Sequence, residues 1–84
     1  MDVIFYPNGW NDYQYWLDND LKLLKKINKL IKECQSTPFE GTGKPEPLKS
    51  ELSGWWSRRI NRKHRLVYRV KGGALEIAQC RHYW

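Results

Sequence analysis

The chain has 84 residues, 29% of them charged and 40% hydrophobic, with five Trp, five Tyr and two Phe. That length suits one compact domain over residues 1–84, and so many aromatics exclude a disordered chain. Two cysteines outside any CxxC pair exclude a disulfide scaffold, and no run approaches the roughly 18 apolar residues of a membrane span, so a reduced cytoplasmic protein with no membrane partner is expected.

A formal net charge of +6 points to an anionic partner. The charge is uneven along the chain. Residues 1–40 carry five Lys against six acids, whereas residues 41–84 carry ten Lys and Arg against three acids. The second half therefore holds the surface that would meet a polyanion.

Val3-Ile4-Phe5-Tyr6, stopped by Pro7-Asn8-Gly9, predicts a first strand at about residues 2–6. Asn8 would cap a short helix whose Trp10, Tyr13, Trp16 and Leu17 recur at helical spacing, and Asn19-Asp20 would end it. Trp10, Tyr13 and Trp16 read as core. Asp20 would cap a second helix with the apolar set Leu23, Leu24, Ile27, Leu30, Ile31 and Cys34, the five lysines facing away. Within that stripe Cys34 reads as a small buried hydrophobe rather than a reactive thiol. The lysine face reads as solvated, with a secondary RNA contact as the alternative.

Thr37-Pro38 would end this helix, and the breakers in residues 37–47 predict a loop. Three β-prone stretches follow at 54–60, 64–70 and 74–81, separated by hairpin turns at 61–63 and 71–73. The expected fold class is α+β, with two N-terminal helices packed on one face of a small antiparallel sheet whose other face stays open. Alternation puts Ser57 and Arg59 opposite in facing to Trp56, Arg58 and Ile60, and separates Arg65 and Arg69 from His64, Leu66, Tyr68 and Val70. One face is thus basic and the other largely apolar. Trp55-Trp56 reads as core rather than as a base-stacking platform.

The open face and its rim offer Lys44, Glu46, Lys49, Arg59, Arg65, Arg81, His82 and Tyr83. No Walker or Rossmann spacing occurs, no His, Cys, Asp or Glu group has metal-ligand spacing, and no cofactor is expected. Metal-free RNA cleavage needs a base near the 2′-hydroxyl, cations around the phosphate and an acid for the leaving 5′-oxygen. This inventory contains all three, and DNA, lacking the 2′-hydroxyl, would be inert. Each residue also has a plainer reading: Glu46 as a solvated loop carboxylate, Arg59 and Arg65 as cross-strand partners or phosphate clamps, His82 as incidental near the end. Residue chemistry alone stops at a basic α+β binding module.

The motifs go further. Trp10-Asn11-Asp12-Tyr13 with Tyr15-Trp16, Lys25-Lys26-Ile27-Asn28 with Leu30-Ile31-Lys32, Thr37-Pro38-Phe39-Glu40-Gly41 and Gly43-Lys44-Pro45-Glu46-Pro47-Leu48-Lys49 run in this order. Leu52-Ser53-Gly54, Trp56-Ser57-Arg58-Arg59-Ile60 and His64-Arg65-Leu66-Val67-Tyr68 complete the set. On these stretches the chain resembles the YoeB toxins, a branch of the RelE family of bacterial toxin-antitoxin systems. The resemblance implies a RelE-like, microbial-RNase-like fold and a metal-independent endoribonuclease that cuts mRNA in the A site of the 70S ribosome, against 16S rRNA. It also implies neutralisation by a YefM-type antitoxin, contact with operator DNA only through that antitoxin, and a homodimer as one possible state.

By position the resemblance makes Glu46 the general base and Arg65 the group that stabilises the phosphate in the transition state. Lys49 and Arg59 become supporting phosphate contacts, with Lys44, Arg81 and Tyr83 beside them. The family's general acid is a histidine followed by tyrosine, which points to His82. Family members commonly carry one more residue between Cys-Arg and His-Tyr than the Cys80-Arg81-His82-Tyr83-Trp84 ending found here. A one-residue slip turns a side chain to the other face of a strand, so His82 takes the acid's place only if the last strand ends early or bulges, and otherwise Tyr83 stands there. Two other readings remain beside cleavage: a basic module that blocks the A site without cutting, and an antitoxin-bound DNA autorepressor.

Overall fold

A computed structural model describes residues 1–83 of the chain. In order these form β1 (Asp2–Phe5), α1 (Pro7–Asn19), α2 (Leu21–Ser36), β2 (Glu46–Pro47), a short 3-10 turn (Ser50–Leu52), β3 (Trp56–Arg59), β4 (Arg65–Lys71) and β5 (Ala74–Gln79). One sheet runs β1-β5-β4-β3-β2. The α+β class is as expected, but the sheet is mixed rather than wholly antiparallel. β1 pairs parallel to β5, with Phe5 opposite Ile77, while the other three ladders are antiparallel. The long connection after β1, which includes both helices, allows it to lie parallel to the last strand, which no hairpin permits.

A second difference lies in the 37–47 stretch, where Glu46–Pro47 forms an edge strand instead of loop. Pro47 lacks an amide proton, which is tolerated at a sheet edge. Helix α1 also begins earlier than expected. Its first residue is Pro7, whose fixed φ suits a first turn, and the Trp10 amide donates to the Tyr6 carbonyl at 2.9 Å. Asn8 therefore lies inside the helix. Asp20 caps α2 as expected, its Oδ1 accepting from the Leu23 amide at 3.0 Å.

The α2 stripe Leu24, Ile27, Leu30, Ile31 and Cys34 is buried, joining Leu66, Tyr68, Leu75 and Ile77 in one cluster. Trp16 enters this core and Tyr13 packs on it, but Trp10 is 50% exposed. The docking residue of that turn is Gly9, and the next residue of a helix points about 100° away; Trp10 stacks on Tyr13 instead, ring centroids 5.9 Å apart. Burial pushes the Cys34 thiol up to about 11 and that of Cys80 to about 12. Both are unpaired, buried and inert as nucleophiles.

Gly9 brings α1 against β5 so closely that a Cβ there would lie 2.6 Å from the Ile77 carbonyl oxygen. That oxygen already accepts from the Tyr6 amide at 2.9 Å, so it cannot step aside. Gly9→Ala is expected to lower stability by about 1–3 kcal/mol through overpacking, although Ala is the better helix former by about 1 kcal/mol. Urea unfolding followed by Trp fluorescence checks this, and an unchanged midpoint would mean that α1 is free to slide on β5.

Candidate functional site

Strand pairing decides which side chains share the sheet face turned away from the helices. Glu46 stands opposite Ser57 and Ser57 opposite Val67, while Arg59 stands opposite Arg65. Opposed residues and residues two apart lie on one face, so Glu46, Arg59 and Arg65 share it. Arg58 points the other way and is fully buried.

Two devices stiffen the edge that carries Glu46. Pro45 and Pro47 flank it, each with its φ locked by its ring. The loop leading to it is buttoned down by Arg58, whose guanidinium donates to Glu33 Oε1 (3.0 Å) and to the carbonyls of Thr37, Glu40 (2.8 Å) and Thr42 (3.3 Å). Gly43 then lies flat on β3, its carbonyl accepting from the Arg59 amide at 2.7 Å. Its φ is +87°, and a Cβ would come within 2.9 Å of the Arg59 carbonyl oxygen, so only glycine fits without a shift.

Arg65 is 6% exposed. Its Nη1 donates to the carbonyls of Asn61 (2.8 Å) and His64 (3.1 Å), and its Nη2 to the Tyr83 hydroxyl (2.8 Å). The guanidinium also lies over the Tyr83 ring, 4.3 Å from its centroid. Among the described residues the ion pairs are Arg58–Glu33 and Arg69–Glu76, and Arg65 belongs to neither. A buried cation held by neutral partners attracts an incoming anion strongly, because little water screens it.

A cavity of about 620 Å³ opens at the β3–β4 turn, lined by Lys26, Arg59, Arg62 and Arg65 with Tyr83, Asn61 and Gly43. Among the described residues no acid lines it. The structure thus brings Arg59, Arg65 and Tyr83 together and sets Glu46 one row away on the same face. Lys44, in a left-handed conformation at φ +50°, and Lys49, at the head of the 3-10 turn, flank β2 and stand exposed outside the cavity. Arg81 lies elsewhere, over the Tyr15 ring of α1 at 3.4 Å. His82 is also outside the lining, its ring 5.7 Å from that of His64.

The last strand is shorter than the expected 74–81: β5 stops at Gln79, with a register irregularity at Val67/Tyr68 on β4. His82 then adopts φ +65°, which seats Tyr83 on Arg65. Sequence reasoning did not single out Lys26, Arg62 or Asn61. Lys26 belongs to the lysine face of α2, but only the packing of that helix selects one lysine of five. Arg62 and Asn61 lie in a stretch legible only as a turn. No group of three or more His, Cys, Asp or Glu side chains among the described residues could hold a metal ion. Among the described residues no helix is long and apolar enough to cross a membrane.

A family model described as the YoeB-like toxin of bacterial type II toxin-antitoxin system matches residues 5–84. Toxin YoeB of Escherichia coli is 55% identical over 84 residues, covering 100% of both chains. Among solved structures, the YoeB/ParE toxin from Agrobacterium tumefaciens aligns with a TM-score of 0.97 at 46% identity, again over 100% of both chains. A YoeB-YefM complex from Staphylococcus aureus gives 0.92 at 45% identity, and a YoeB dimer from that organism 0.92 at 46%, each covering 100% of this chain and 98% of that one. With a full-length match in sequence and in fold, the chain belongs to the YoeB-like toxins of bacterial type II toxin-antitoxin systems.

Proposed function

We propose that residues 1–84 form a single toxin domain that works in the bacterial cytoplasm as a ribosome-dependent, metal-independent mRNA endoribonuclease. The observation that carries this reading is the buried Arg65, held by neutral partners and sharing a sheet face with the Glu46 carboxylate. RNA supplies its own nucleophile, so the protein needs only to orient it in line and offset charge. Glu46 takes the proton of the 2′-hydroxyl, and O2′ attacks the neighbouring phosphorus. Arg65, with Arg59 opposite it on β3 and Lys49 as a supporting phosphate contact, offsets the charge that builds on the phosphoryl oxygens. As the P–O5′ bond breaks, O5′ takes a proton, leaving a 2′,3′-cyclic phosphate upstream and a 5′-hydroxyl downstream.

His82 is proposed as that acid, and Tyr83, in contact with Arg65, is the second candidate. Lys44 and Arg81 serve as outer contacts to RNA, and Lys26 and Arg62 extend the cationic wall for a flanking phosphate. The staphylococcal complex supports a YefM-type antitoxin as partner, and the staphylococcal dimer supports self-association. Operator DNA would be reached through the antitoxin.

Antitoxin-free protein added to 70S ribosomes programmed with a defined mRNA should produce new 3′ ends within the A-site codon. Mapping of those ends, with analysis of the terminal phosphate, is the test. Translation arrest without new ends would replace the nuclease with an A-site blocker.

A further inference from the structure

His64 takes no part in the chemistry proposed above, yet its imidazole sits where the C-terminal segment is tied down. Nδ1 accepts from the His82 amide at 2.7 Å, and the ring lies edge-on to Trp16, centroids 4.8 Å apart. The His82 carbonyl in turn accepts from the Arg65 amide at 3.0 Å. Two residues earlier, the Cys80 amide donates to Asp12 at 3.0 Å and the Cys80 carbonyl accepts from Trp16 Nε1 at 2.9 Å. Between these ties His82 holds φ +65°, a conformation that a non-glycine residue keeps where its surroundings over-determine it. The next residue is Tyr83, whose hydroxyl meets Arg65.

An amide N–H only donates, so Nδ1 must present a lone pair and the ring must be neutral with its proton on Nε2. Protonation of Nδ1 would set a donor against a donor. We propose that His64 is a positioning residue: its neutral imidazole holds the His82 amide and, through it, Tyr83 on Arg65, and protonation opens this tie. Only the effect on cleavage rests on the nuclease reading; the tie itself does not.

The groups facing His64 are Asp12 from α1, Lys63 from the β3–β4 turn, and Arg81 and His82 from the C-terminal segment. Burial first, then His82, Arg81 and Lys63, hold the His64 pKa below its ordinary 6.5, and Asp12 opposes them. Because the folded value is depressed, the unfolded chain binds more protons in this range. The stabilisation is therefore present above 6.5 and is lost as pH falls through the lowered value.

NMR decides the matter. At neutral pH His64 should appear as the Nε2–H tautomer, and on acidification the His82 amide and Tyr83 ring signals should shift with the midpoint of the His64 imidazole. In His64→Asn, whose Oδ1 replaces Nδ1 as an acceptor that does not titrate, that shared transition should vanish while Tyr83 stays in place. In His64→Phe, which keeps the contact with Trp16 but accepts nothing, the Tyr83 signals should be displaced at every pH. On programmed ribosomes the Phe variant should cut about tenfold or more slowly through lost positioning, and Asn should restore the rate to within about threefold. An Nδ1–H tautomer in the wild type, Tyr83 signals that ignore the titration, or native Tyr83 signals in His64→Phe would overturn the proposal. If the wild type does not cut at all, the nuclease reading fails while tautomer and titration still decide the tie.

Discussion

Arg65→Ala is expected to slow cleavage on the ribosome by about 10²–10³, the loss seen when one preorganised donor to a developing charge is removed. Arg65 is buried, makes its hydrogen bonds to neutral groups and is preset by Asn61, His64 and Tyr83. Its charge is therefore little screened, and little reorganisation is needed when the phosphoryl oxygens become more negative. Glu46→Ala should cost about 10²–10⁴ through loss of the general base. The double variant should be little worse than the poorer single one, because the two act in one transition state. Arg65→Lys keeps the charge but not the planar fork that reaches three oxygens, and should remain impaired. Single-turnover mapping of 3′ ends measures all four, with circular dichroism melting to show that each variant folds. An Arg65→Ala protein that folds and cuts within about threefold of the wild-type rate would remove Arg65 from the chemistry.

Arg58→Met should be strongly destabilising, at about 3 kcal/mol, because a buried side chain with several hydrogen bonds is lost and its partners stay behind. Arg58 joins three segments. It bonds Glu33 of α2, the 37–42 loop and the Tyr68 hydroxyl (3.1 Å), which itself donates to the Pro38 carbonyl at 2.6 Å. Methionine fills the volume but offers no donor. The loop that leads to Lys44 and Glu46 should loosen, so limited proteolysis should open within residues 37–44 before global unfolding. A urea midpoint equivalent to within about 0.5 kcal/mol of wild type would show that the loop holds itself. Acid should mimic part of the effect. The Thr42 amide first, and Arg58 after it, hold the Glu33 carboxyl below its ordinary 4.5, so this contribution is present above that value and is lost as pH falls through the lowered one.

Features that depend on local spacing are legible along the chain. The period of Leu24, Ile27, Leu30, Ile31 and Cys34 specifies α2 and its buried side, Asp20 its start, and alternation along β3 and β4 the facing of Arg58 against that of Arg59 and Arg65. Residue types on the basic face pointed only to an anionic partner, and the expected roles of Glu46 and Arg65 came from the family resemblance of the motifs around them. Other features were decided only when distant segments met. A two-residue strand such as β2 has no period to read, and the parallel pairing of β1 with β5 depends on how a long crossover closes. Trp10 faces outward because Gly9 is the residue that docks on β5. The partners of Arg58 are mostly backbone carbonyls 16 to 21 positions away, and carbonyls look alike in every sequence. Tyr83 rather than His82 sits on Arg65 because a left-handed turn at His82 is tied to His64 across 18 positions. Periodicity carries information along a strand or a helix, whereas these contacts form between segments whose meeting is set by closure of the whole sheet.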